Sequence, residues 1–266
     1  DVQSPPVQDA PVRLLVDPKV RKGVLDNGLQ FIVRENSKPE NRAEIRLVVG
    51  VGSIVEDKDQ QGLAHFVEHM AFNGTQHFPK QELIDYLESM GMQFGADTNA
   101  YTTFDETVYM LQVPTDSTAL VETAFQILED WAHQVSFEGE EIDKERGVVI
   151  EEWRGDRGAD ARMRDKQYPI LLKDSQYAKR LSIGKKAVLD TFRHETLRRF
   201  YKDWYRPDLM SVIAVGDFDG AQIERLIRDT FSRIPWAVNP RPRKIYPVPD
   251  HGETLFAIVS DPETAR

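Results

Sequence analysis

Histidine and glutamate stand in a tight order at one place in the chain, His65-Phe66-Val67-Glu68-His69. With Gly62-Leu63-Ala64 before it and Met70-Ala71-Phe72 after it, the segment reads as a helix. Positions i and i+4 share a helical face, so both imidazoles can grip one ion. Glu68 lies near that face, where a carboxylate can reach a water on the ion without binding the ion. The order is the inverse of the better-known H-E-x-x-H arrangement. Two histidines leave tetrahedral zinc in need of a third protein ligand, with water in the fourth place. The chain has no cysteine, so that ligand has to be a carboxylate or another histidine. A Glu-rich stretch supplies Glu145, Glu151 and Glu152. At about 100° per residue, Glu145 and Glu152 fall about 20° apart on a helix, and Glu151 about 120° from Glu145. A pair at i and i+7 can therefore face the metal together, one as ligand and one as its support. Spacing does not say which is which, and a Glu-rich helix is more often a solvated face.

The elements that must position these groups follow from periodicity and turn chemistry. Gly23 to Leu25, the turn Asp26-Asn27-Gly28 and Leu29 to Val33 predict a strand, turn and strand. Ala43 to Val51 alternates and predicts a buried strand, and Thr107 to Val113 and Met210 to Val215 predict two more. Helices are expected at Gly62–Phe72, at Lys80–Met90 stopped by Gly91, at Ser117–Gln134, from Glu140 to about Arg164, at Asp190–Trp204 and at Ala221–Phe231. Leu120, Ala124, Ile127, Leu128 and Trp131 share one face of the third of these. The mixed order of strands and helices indicates an α+β fold, with helices packed on one face of a mainly antiparallel sheet. Residues 1–20 read as an extended arm, and 21–234 as the metal-binding domain. Residues 235–252 have a linker's composition, with five prolines between Pro235 and Pro249. Residues 253–266 then read as the first strand, Thr254 to Val259, of a following domain that is cut short.

Composition narrows the partners. The formal net charge of −10 over 266 residues argues against nucleic acid. No apolar run is long enough to span a membrane. The chain opens on Asp1 with a Pro- and Gln-containing stretch, which fits an exported mature protein. His77, His133, His194 and His251 have no partner pattern and read as structural or exposed. Trp131, Trp153 and Trp204 sit on apolar faces and read as core.

Three stretches, GLAHFVEHMAFNGTQHFP, GADTNAYTTFDETVYMLQVP and ERGVVIEEW, resemble the pitrilysin or insulinase-type inverted zinc peptidases, which include mitochondrial processing peptidase. The likeness extends from about Arg21 to Phe231, and large bacterial zinc proteases look most similar. The resemblance implies one zinc per chain, with His65, His69 and Glu152 as ligands, Glu145 behind them and Glu68 as general base. It implies that the segment Asn99-Ala100-Tyr101-Thr102 lies beside the active site, with Asn99, Ala100 and Tyr101 pairing with extended substrate backbone. It also implies a peptide or small-protein substrate and closure by later domains, in which an Arg-Tyr pair assists. This chain has no segment matching that pair, so the likeness points to an N-terminal fragment, weakly active or inactive alone, of a zinc endopeptidase of the bacterial periplasm. The competing expectations are a catalytically silent structural or peptide-binding homologue, and a zinc enzyme acting on a small substrate.

Overall fold

The structure, a computed structural model, describes residues 17–89, 92–93, 95 and 97–263. Most of the expected N-terminal arm, and the expected helix stop at Met90 and Gly91, lie outside the described residues. Six strands form one sheet: β1 (Val20–Val24), β2 (Gln30–Glu35), β3 (Arg42–Val49), β4 (Thr98–Thr102), β5 (Thr107–Pro114) and β6 (Met210–Gly216). Their spatial order is β1-β2-β6-β3-β5-β4, antiparallel except for the parallel pair β2 and β6.

Strict alternation along β3 puts Ala43, Ile45, Leu47 and Val49 into the core and leaves Glu44 and Arg46 on the other face. This period-2 pattern fits a sheet covered by helices on one side. The helices are α1 (Leu63–Met70), α2 (Glu82–Ser89), α3 (Thr118–His133), α4 (Gly139–Gly155), α5 (Ala159–Leu171), α6 (Lys186–Leu189), α7 (His194–Trp204) and α8 (Gly220–Phe231). Phe31, Phe66, Tyr109, Phe125, Trp131, Phe200 and Phe231 fill the space between sheet and helices. The expected apolar face of α3 is in place, with Ala124, Ile127, Leu128 and Trp131 buried.

Two expectations need correction. The charged helix expected from Glu140 to about Arg164 is two helices, broken at residues 156–158. Gly155 and Gly158 flank the break, and glycine is among the weakest helix formers. The helix expected from Asp190 begins instead at His194, because the preceding residues close a turn behind the short α6, with Thr191 N–H on the Val188 carbonyl and Phe192 N–H on the same acceptor. The segment Thr254 to Val259, expected to open a following domain, joins none of the six strands. Side-chain ion pairs hold the tail instead: Arg241 to Asp57 and Arg162 to Asp261.

Candidate metal centre and cleft

The helix α1 is short, and its start is fixed from outside. Gly62 adopts a left-handed φ of 104° at the N-cap and offers no side-chain cap. Glu56 supplies one, its Oε1 accepting from Gly62 N–H at 3.0 Å and Ala64 N–H at 2.9 Å. Burial pushes the Glu56 carboxyl well above its usual range. Helix α1 then packs against α4, α7 and β4. Its inner face buries Leu63, Phe66, Val67 and Met70, and its other face turns His65 and His69 toward α4.

There the expected side chains converge. His65 Nε2 and His69 Nε2 lie 3.1 Å apart. The Glu152 carboxylate stands 3.5 Å from His65 Nε2 and 3.2 Å from His69 Nε2. Glu151 points away, is exposed and pairs with Arg154. Two turns earlier on α4, Glu145 Oε1 holds His69 Nδ1 at 2.7 Å, while its Oε2 accepts from Asn73 Nδ2 at 2.7 Å. The i and i+7 pair is thus split as helical geometry allows, with Glu152 among the imidazoles and Glu145 behind one of them.

These separations fit a metal. Zinc with bonds of about 2.0–2.1 Å in tetrahedral geometry holds neighbouring ligand atoms about 3.4 Å apart. Without a cation, two nitrogens aimed at each other have to share a proton. The electrostatics reflect this. Burial and the neighbouring His69 lower the His65 pKa to about 4. Burial alone would lower His69 as well, but bonds from Glu145 and Glu152 outweigh it and raise the pKa to about 9. The His69 bond holds the Glu152 carboxyl below its usual range. His65 Nδ1 is buried with no hydrogen-bond partner, unlike His69 Nδ1.

Glu68 is 8% exposed and does not join this donor set. Burial raises its pKa, opposed by a hydrogen bond from Thr102 Oγ1 to Glu68 Oε2 at 2.5 Å. The cleft beside it measures about 790 Å³ and is lined by His65, Glu68, His69 and Glu152 together with Ala100, Tyr101 and Thr102 of β4. Ala100 and Tyr101 thus face the cleft as expected. Asn99 does not line it, but its Oδ1 accepts from Ala100 N–H at 2.8 Å on this outermost strand. The far wall comes from Arg164 and Tyr168 of α5 and from Leu181, Ser182 and Ile183.

A family model described as "Insulinase (Peptidase family M16)" matches residues 31–179, the span that holds every one of these side chains except the far end of the wall. The chain belongs to the insulinase family. A second model, "Peptidase M16 inactive domain", matches residues 191–266. Among insulinase-family relatives, the chain is 42% identical over 244 residues to the zinc protease PQQL-like of Arabidopsis thaliana, covering 91% of this chain and 26% of that one. It is 37% identical over 247 residues to the probable zinc protease PqqL of Escherichia coli, covering 93% of this chain and 26% of the relative. The chain therefore spans about a quarter of the length of these relatives. In structure it matches the first half of the periplasmic protease PqqL from Escherichia coli with a TM-score of 0.85 at 37% identity, covering 90% of this chain and 51% of that one. It also matches a variant of the ferredoxin protease FusC in complex with Arabidopsis ferredoxin, with a TM-score of 0.80 at 31% identity, covering 86% of this chain and 25% of that one.

Sequence reasoning passed over Asn73 and Glu56, and placed Thr102 beside the active site without foreseeing its bond to Glu68. Asn73 follows His69 by four residues, so the same i and i+4 rule that found the histidines would have found it. Glu56 carries no local signal, since its partners lie six and eight residues on.

Proposed function

We propose that this chain is the metal-holding part of a zinc endopeptidase that hydrolyses extended peptides. The observation that carries the reading is the approach of His65 Nε2, His69 Nε2 and the Glu152 carboxylate at the separations zinc bonds impose. Those three residues are the ligands of one ion per chain. When bound, zinc polarises the peptide carbonyl and lowers the pKa of a water. Glu145 takes the Nδ1 proton of His69 as a hydrogen bond, which commits Nε2 to the ion. Glu68 is the general base. Its burial lifts the carboxyl toward the range in which a group both takes and returns a proton. Its Oε2 is held by Thr102, so Oε1 is the oxygen that takes the water proton and passes it to the leaving amine.

The peptide adds a strand beside Asn99, Ala100 and Tyr101 at the outer edge of β4. In doing so it draws Ala100 N–H away from the Asn99 side chain. The cleft is open on one side, and little water is excluded. We therefore assign closure to further domains of a longer chain, after an arm at 1–20, a peptidase domain at 21–234, a linker at 235–252 and the start of a next domain at 253–266. The periplasm is the proposed location, supported by the description of the Escherichia coli neighbour as a periplasmic protease. No helix among the described residues is long and apolar enough to cross a membrane.

The test compares the full-length protein with its Glu68→Gln variant. Both hold zinc, and the variant loses peptide hydrolysis by about 10²- to 10⁴-fold. Hydrolysis within a few-fold of wild type would put the base elsewhere. A catalytically silent homologue would bind peptide and turn over none in either protein.

A further inference from the structure

We infer that Thr102 is a positioning residue for Glu68, so that one five-residue strand both aligns the peptide and aims the base. The inference rests on the peptidase reading for its consequence, but its geometry stands apart from that reading. A threonine hydroxyl has a single proton to give. Thr102 Oγ1 has two neighbours, Glu68 Oε2 at 2.5 Å and Thr107 Oγ1 at 3.4 Å. Thr107 spends its own proton on the Val51 carbonyl at 3.0 Å, so it cannot donate to Thr102. The Thr102 proton therefore goes to Glu68. Its length matches a hydroxyl bonded to a charged carboxylate, about 2.5–2.7 Å.

The hydroxyl is itself held in place. Thr102 closes β4 opposite Thr107 in the ladder with β5. The next turn docks on the segment leading into α1, where Ser53 N–H and Ile54 N–H bond the carbonyls of Thr103 and Phe104 at 3.1 and 2.9 Å. Gly52 sits so close beneath the Thr103 carbonyl that a Cβ has no room. The end of β4 and the start of α1 are thus tied by main-chain bonds as well as through Thr102 and Glu68. With Oε2 fixed, Glu68 Oε1 has no protein partner among the described residues and is the one oxygen left to work. Because β4 is also the outermost strand, a peptide pairing with it meets Glu68 in one register.

The experiment uses the full-length protein with Thr102→Val, which keeps the shape and removes the hydroxyl, and Thr102→Ser, which restores it. Zinc content stays stoichiometric in both. Thr102→Val leaves KM within about threefold and lowers kcat by about 10- to 100-fold, the scale of a misplaced catalytic group. Thr102→Ser recovers most of that loss. A crystal structure of Thr102→Val shows the Glu68 carboxylate displaced from its wild-type rotamer. An unmoved carboxylate, unchanged kcat, a loss carried by KM, or failure of serine to rescue would each overturn the inference. A wild-type protein that hydrolyses no peptide while Glu68 still shifts in the valine variant would sink the peptidase reading and leave the positioning role standing.

Discussion

Two clusters in this molecule are built from the same parts and come to different ends. One is His65, His69, Glu145 and Glu152. The other joins His77 and His133 to Glu129 and Asp130 at the other end of the α1 region. In both, imidazole nitrogens approach carboxylate oxygens, and both include three possible ligands within reach of one ion. The second is saturated by the protein. Asp130 Oδ2 accepts from Thr75 Oγ1 at 2.5 Å and from His77 N–H at 3.1 Å, and its Oδ1 holds His77 Nδ1 at 2.7 Å. Glu129 takes Gln126 Nε2 at 2.8 Å and Gln134 Nε2 at 3.0 Å. In the first cluster the Nε2 atoms face each other and share only Glu152. Residue type therefore does not separate a metal centre from a structural knot. What separates them is whether neutral donors already occupy the lone pairs an ion would use. The second cluster ties the loop after α1 to α3, which makes it a scaffold for the first.

Substitution should break the two clusters in different ways. His65→Ala removes one of three ligands, and the purified protein should then carry no stoichiometric zinc by elemental analysis. Asp130→Ala should keep full zinc while losing about 3 kcal/mol of unfolding free energy, because Thr75 Oγ1 and the His77 N–H are left without their acceptor. Denaturant unfolding with zinc analysis of the same samples reads both. Stoichiometric zinc in His65→Ala, or zinc lost from a folded Asp130→Ala, would reverse the assignment of the two clusters.

A smaller effect lies behind the ligands. Glu145→Gln keeps the size of the side chain but holds His69 Nδ1 with a neutral oxygen and loses the charge. Such supporting groups typically govern 10- to 100-fold in metal affinity, so zinc Kd should weaken by about that factor with the fold intact. Competition with a chromophoric chelator measures it. An unchanged Kd would mean that packing of α1 on α4 alone fixes the His69 ring.

How legible these regions were in the sequence follows from the range of the interactions. His65, Glu68 and His69 lie on one turn, so their spacing declared them. Glu145 and Glu152 declared a shared face but no order, because order depends on how α4 meets α1, which is a tertiary fact. Once α4 is docked, Glu152 stands against both imidazoles and Glu151 is turned to solvent. The sheet was readable because β3, β5 and β6 alternate or run apolar between clear turns. The break between α4 and α5 was harder, since both sides are equally charged and only Gly155 and Gly158 mark it. Missing that break hid the far wall of the cleft, because Arg164 and Tyr168 reach it only when α5 turns away from the α4 axis. The tail is a different case. Thr254 to Val259 has a strand's pattern, but pattern does not supply a neighbour, and with none of the six strands beside it Phe256 and Ile258 stay exposed.

The smallest effect, and the one that separates the clusters without substitution, is the pH dependence of the metal-free protein. His65 has a folded pKa of about 4 against an ordinary 6.5. Between those values the unfolded chain binds a proton that the folded chain does not, so stability from this group rises with pH. His69 has the opposite sign, with a folded pKa of about 9 against 6.5. Its contribution is fully present below 6.5 and is lost as pH climbs toward 9. With metal chelated, the pair should therefore give a stability maximum near pH 6.5, seen as a fall in Tm on either side. Zinc should remove the alkaline limb, because it replaces the shared proton and favours deprotonated ligands. Tm measured from pH 5 to 9 with chelator and with zinc tests this. The second cluster stays the same in both series and serves as the internal control. The assignment fails if the zinc-loaded and chelated curves run parallel, because then the proton and the ion do not compete for the space between His65 and His69.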